Sequence, residues 1–248
     1  MKASYQVAII VFLVLLVDQV LKFWVKTNLV IGEEIHLLGF DWARIHFVEN
    51  NGMAFGMSIG GEYGKLALSS FRILAVGGLL YYIRHLIIHR ATFGLLFSFS
   101  LILAGAIGNI IDSAFYGLIF SESYHGSGLA TLLPEGGGYA TFLHGKVVDM
   151  LYFPMFEGVF PHWIPFWGGK SFLFFRPVFN IADMSITIGV INILIFQRSF
   201  FSNPENEEPK ATYPEMERGT IEVAEGQPSE PDQPSEFWPE DPRTKSES

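Results

Sequence analysis

The chain contains no cysteine. That excludes disulfides, cysteine-based metal sites, a thiol nucleophile and a lipid-modified cysteine. Charge is sparse as well, at 17% of 248 residues. The net charge of −9 arises entirely in residues 202–248, which hold 13 acidic and 4 basic residues, while the rest of the chain is balanced at 12 of each. No basic surface for nucleic acid is left. His-Glu-x-x-His and similar ligand spacings are missing, so no metal is expected. No Gly-x-Ser-x-Gly elbow or Ser/Lys pair stands near the acids, and nothing calls for a cofactor.

What is abundant is apolar: half of the residues are hydrophobic and 24 are Phe. That composition suits an α-helical polytopic membrane protein better than a soluble domain. Four apolar segments stand out, at about 7–25, 66–83, 92–116 and 179–196. Their lengths fit the roughly 20 residues a helix needs to cross the hydrocarbon core. The first runs into Asp18-Gln19-Val20-Leu21-Lys22 without a small-residue cleavage site, so it reads as a retained helix. The basic connection from Arg84 to Arg90 and the later Arg198 mark the cytoplasmic side, with both termini cytoplasmic. Residues 28–62 and 117–178 then lie outside.

Alternation around Ala43-Arg44-Ile45-His46-Phe47-Val48 predicts surface strands in 28–62, with a tight turn at Asn51-Gly52. The segment 117–178 is too long for a simple loop and predicts further strands or an interfacial helix. Its Trp and Tyr residues suit the headgroup zone. Residues 202–248 hold eight of the 13 prolines and predict a disordered, acidic cytoplasmic tail after a membrane domain at 1–201.

This topology brings Asp18, Asp112, Asp149 and Asp183 to one depth near the outer leaflet. Carboxylates are costly there and usually mark function. Taken singly, each has a structural reading. Asp18 and Lys22, four apart, form an ion pair that either anchors a helix or serves a site. Asn109 and Asp112 share a helix face and can bridge helices by hydrogen bonds. Asp183 can complement a helix dipole. Arg72 snorkels or pairs with a carboxylate. Taken together, Asp149 and Asp183 read as an aspartyl pair. Two close acids in a poorly solvated site share one proton, so one activates water while the other polarises a carbonyl. Two other classes compete. Intramembrane acids also serve proton- or cation-coupled transporters, although no inverted repeat is visible. A non-catalytic membrane scaffold would use the tail as its binding segment.

Five motifs in order resemble the lipoprotein signal peptidases (signal peptidase II) over most of residues 10–200. They are Asp18-Gln19-x-x-Lys22, Asn50-Asn51-Gly52-Met53-Ala54-Phe55, Gly105-x-x-Gly108-Asn109-x-x-Asp112, Val147-Val148-Asp149 and Phe179-Asn180-x-Ala182-Asp183. The resemblance implies four transmembrane helices with a small periplasmic β-cradle, a mobile segment over the site and extended periplasmic loops. It implies an aspartyl endopeptidase of the bacterial inner membrane with its site near the periplasmic face. The expected substrate is a diacylglyceryl prolipoprotein in the phospholipid bilayer, cut just before the lipidated cysteine by a monomer. Asp149 and Asp183 would be the dyad, Asn50, Gly52, Asn109, Asp112 and Asn180 would line the site, and Asp18 and Lys22 would support it. Two departures stand out. Ser113 occupies the place where the family usually has Arg, so a contact to lipid phosphate or to a neighbouring acid is either lost or supplied elsewhere, with Arg72 as the candidate. Residues 118–145 and 153–177 are longer than the family norm.

Overall fold

The fold is taken from a computed structural model that describes residues 2–51, 61–126 and 128–197. Gly52 with its turn, Arg198 and the tail 202–248 lie outside the described residues.

Among the described residues three helices are long and apolar enough to cross a membrane. They belong to α1 (Ala3–Asn28), α2 (Gly61–Ile88) and α3 (Phe93–Ile111). In α1 the usual amphipathic pattern is inverted: Asp18, Lys22 and Lys26 are buried, while Phe12, Leu13, Leu16 and Val20 are exposed. A helix bathed in lipid needs no polar outer face, so its charges turn inward toward partners. Thr92 caps α3, its hydroxyl accepting from the Leu95 N–H at 3.4 Å. Beyond Ile111 the backbone passes through one π-turn, Asp112–Tyr116, and a short α4, Gly117–Ile119. Such turns widen the helix locally and recur at functional sites.

The fourth apolar segment differs from expectation. Its helix, α5 (Ile181–Phe196), has 16 residues, because Phe179 ends a strand and Asn180 caps the helix. α5 lies along α3 on small residues. A Cβ on Gly105 would come within 2.2 Å of the Ala182 carbonyl oxygen, and one on Gly108 within 2.8 Å of Asp18 Oδ2. Only glycine allows that approach.

The segments between helices fold as antiparallel strands. β1 (Glu34–His36), β2 (Arg44–Asn50), β3 (Val147–Tyr152) and β6 (Val178–Phe179) form one sheet in the order β1-β2-β3-β6. β4 (Phe156–Val159) and β5 (Ser171–Phe174) form a separate hairpin. Strand alternation then sorts the sheet. Phe47, Val148 and Met150 join Val25, Leu29, Tyr116 and Phe120 in a buried cluster. Val48 pairs with Asp149, so Asn50, two residues on, shares the face of Asp149. β3 pairs with β6 through Leu151 and Phe179, which brings Asp149 level with the start of α5.

Candidate active site

Lys22 organises the polar interior. An ammonium has three donors and no acceptor, and Lys22, fully buried, meets three oxygens. These are Asp18 Oδ2 at 2.9 Å, Asp112 Oδ2 at 2.9 Å and Asn109 Oδ1 at 3.1 Å. The second Asp18 oxygen accepts from the Ala182 N–H at 2.9 Å, satisfying a free amide in the first turn of α5. The Gln19 amide donates to Asp18 Oδ2 and Asp112 Oδ1, both at 3.0 Å. Asp112 Oδ2 also accepts from the Val148 N–H at 3.3 Å. These contacts tie α1 to α3, α5 and β3.

The same cation fixes an amide. Because Lys22 only donates, it holds the Asn109 oxygen, which turns Asn109 Nδ2 toward Asp183 Oδ1 at 2.8 Å. Asn180 does the corresponding work for Asp149. It is the N-cap of α5: its Oδ1 accepts from the Asp183 N–H at 2.9 Å, and Asp183 Oδ2 accepts from the Asn180 N–H at 3.4 Å. That reciprocal capping box leaves Asn180 Nδ2 to donate to Asp149 Oδ1 at 2.8 Å, with Asn109 Oδ1 at 3.2 Å and the Val148 carbonyl at 3.3 Å. Asn50 Nδ2 donates to the other Asp149 oxygen.

Asp149 is 4% exposed. Burial, followed by the charge of Asp183, pushes its carboxyl up to about 7, against the pull of Lys22, Asn180 and Asn50. Asp183 is only part-buried and sits in the first turn of α5, where unpaired N–H groups favour an anion. Arg72 on α2 lies within electrostatic range of Asp183, Asp112 and Asp149. The arrangement holds two electrostatically coupled carboxyls, each oriented by an asparagine, one in a dry setting and one more open.

Of the residues singled out from sequence, eight converge here: Asp18, Lys22, Asn50, Asn109, Asp112, Asp149, Asn180 and Asp183. Arg72 reaches them through its field, and Gly52 lies outside the described residues. Ser113 turns back on its own helix, donating to the Asn109 carbonyl at 3.0 Å, so it takes no part in the carboxylate network. Sequence reasoning gave Gln19 no role, although its place beside Asp18 in the first motif was a signal. It also missed a second buried cluster. Fully buried Lys26 pairs with Glu49 and donates to Ser123 Oγ at 2.9 Å. Lys146 lies 3.9 Å from Glu49 and 2.9 Å from Glu122. These partners are 23 to 97 residues apart, too far for any local spacing to show.

Apolar helices that bury charges, with paired acids on and beside a small sheet, define a membrane protein with a polar centre. Comparison with known proteins makes this specific. The family model described as signal peptidase (SPase) II matches residues 10–200. A lipoprotein signal peptidase of Porphyromonas gingivalis is 56% identical over 190 residues, covering 76% of this chain and 81% of that protein. One from Amoebophilus asiaticus is 37% identical over 198 residues, covering 79% and 78%. A solved bacterial membrane enzyme aligns with a TM-score of 0.50 at 26% identity, covering 83% of this chain and 94% of that one. The chain belongs to the signal peptidase II family, and it is a membrane protease.

Proposed function

We propose that this protein is an aspartyl endopeptidase that removes the signal peptide from diacylglyceryl-modified prolipoproteins, cutting before the lipidated cysteine. The observation that carries the reading is the pair of differently set acids, Asp149 held by Asn180 and Asn50, and Asp183 held by Asn109. Asp149, dry and pushed up to about 7, carries the shared proton. Asp183, the more open group, is the base that takes a proton from water. The water oxygen attacks the scissile carbonyl while Asp149 gives its proton to the carbonyl oxygen. Collapse of the tetrahedral intermediate returns a proton to the leaving nitrogen, and the pair is restored. Asn50, Gly52, Asn109, Asp112 and Asn180 line the site, and Asp18, Lys22 and Arg72 support it.

The proposal includes four transmembrane segments, α5 being the fourth, in the bacterial inner membrane. Both termini are cytoplasmic, and the sheet forms a periplasmic cradle. Residues 1–201 form the peptidase body and 202–248 an acidic tail outside the chemistry. One chain supplies a whole dyad, so a monomer suffices. The test is a gel-shift assay with a diacylglyceryl prolipoprotein beside its unlipidated form. Cleavage of the lipidated form alone is expected, falling by roughly 10²–10⁴-fold or more in Asp149→Asn and Asp183→Asn. Cleavage that survives in either variant refutes the dyad.

A further inference from the structure

The β4–β5 hairpin stands apart from the four-stranded sheet and is rich in aromatic residues that are exposed among the described residues, Phe156 and Phe174 above all. Register sorts it into two faces. Phe156 pairs with Phe174 and Gly158 with Phe172, while Glu157 pairs with Leu173 and Val159 with Ser171. Alternation therefore gathers Phe156, Phe172 and Phe174 on one side. A Cβ on Gly158 would meet the Phe172 ring at 2.8 Å, so that ring lies against the glycine. The other side carries Glu157 and Ser171 together with Leu173 and Val159, so the rings are confined to one face and the charge to the other.

Its tip is pre-formed. The Phe160 N–H donates to the Lys170 carbonyl at 2.9 Å and the Gly169 N–H to the Phe160 carbonyl at 2.8 Å. The tip presents Trp163 at 80% exposure, Phe166 at 91% and Trp167 at 58%, with Phe166 in the left-handed region at φ 66°. A bulky residue rarely adopts that conformation. Exposed Lys170 follows these rings in the tip, and exposed Arg176 stands just beyond β5 at the base. Trp and Phe beside cationic side chains are the composition of the membrane–water boundary.

Position points the same way. β3 ends at Tyr152, three residues after Asp149, the hairpin follows from Phe156, and the chain re-enters the sheet in β6 just before Asn180, which caps apolar α5. Its base is joined to that point by rings: Phe175 to Phe179 at 5.8 Å, Phe179 to Phe153 at 5.7 Å, and Phe153 to Trp42 at 6.3 Å. The aromatic surface thus runs through these rings to Phe179, two residues before apolar, lipid-exposed α5. A two-stranded ribbon with an uncovered aromatic face is marginal in water. At the lipid boundary the same face is satisfied.

We propose that the β4–β5 hairpin is a membrane-interface anchor. Its aromatic face and tip seat among the headgroups and upper acyl chains of the leaflet at which the acids lie. So held, the hairpin steadies β3 and β6, the strands that carry Asp149 and lead into Asn180. The proposal rests on the membrane setting of the chain and is independent of the reaction.

The test uses the full chain in phosphatidylcholine nanodiscs, with and without brominated acyl chains, and reads tryptophan fluorescence. Subtracting the spectrum of Trp163→Phe/Trp167→Phe from that of the parent isolates the hairpin signal from the remaining tryptophans. The expected signal is blue-shifted relative to water-exposed tryptophan and loses its larger part to brominated lipid. Trp163→Glu/Phe166→Glu, read after the same subtraction, leaves Trp167 as the hairpin's reporter, and should return its emission toward that in water with little change in thermal stability. A hairpin signal at the water-exposed wavelength, unquenched by bromine, overturns the proposal. So does quenching or a shift that appears only when a prolipoprotein is added, which would make the tip a protein-docking surface.

Discussion

Replacing Lys22 with Met keeps the length of the side chain and deletes its charge. Three buried oxygens lose their shared donor, those of Asp18 at 2.9 Å, Asp112 at 2.9 Å and Asn109 at 3.1 Å. Asp18 keeps the Ala182 N–H, and both acids keep Gln19, so each carboxylate retains hydrogen bonds but loses its counter-ion. Breaking a buried ion pair by removing one partner typically costs about 3–5 kcal/mol. For a domain of this size each kcal/mol moves the midpoint by about 2–4 °C. The midpoint of Lys22→Met in detergent should therefore fall by about 6–20 °C, read by differential scanning fluorimetry. Lys22→Met with Asp112→Asn removes one uncompensated charge and should recover part of the loss. A drop of only about 1–2 °C, or no recovery in the double variant, would mean that water reaches the cluster and that the reasoning fails. Activity should fall further than stability does, because Lys22 also sets the amide of Asn109 against Asp183.

Other perturbations follow from the same geometry. With Asp149 pushed up to about 7, its proton is held below that pH and lost above it, so the pH–rate profile should fall on the basic side with an apparent pKa near 7. A flat profile from about pH 6 to 9 would contradict this. Gly105→Ala places a methyl within 2.2 Å of the Ala182 carbonyl and should destabilise by about 1–3 kcal/mol or more, seen as a lower midpoint. Glu49→Gln leaves Lys26 buried without its counter-charge. It should cost about 3–5 kcal/mol, and Lys26→Met added to it should restore much of that.

The apolar runs made α1, α2 and α3 legible, because twenty lipid-soluble residues have few other fates. Alternation from Ala43 marked β2, and the five motifs carried nearly every side chain of the site. The shortness of α5 was less legible. An apolar count cannot distinguish Phe179, which closes a strand, from Ile181, which opens a helix; Asn180 between them decides it by capping. The π-turn after Ile111 has no local signature. Strands or an interfacial helix were expected in 117–178, and strands are there, but the place of the hairpin at 156–174 was not legible, since its exposed rings give no clean alternation. Lys26 and Glu49 could not be paired beforehand, because the contact exists only once β2 lies across the end of α1.

Asn180 is at once the cap of α5, the donor to Asp149 and the partner of Asp183. Order of synthesis follows from that. A chain emerging from the ribosome makes α1, β2, α3 and β3 first, and Asp149 is then in place without its counterpart. The last helix brings Asn180 and Asp183 together, and its first turn is tied down by Asp18, the oldest acid in the chain. No chain that stops short of Asp183 holds both acids, so the pair proposed here comes into being only when the start of α5 has been made and has met Asp18.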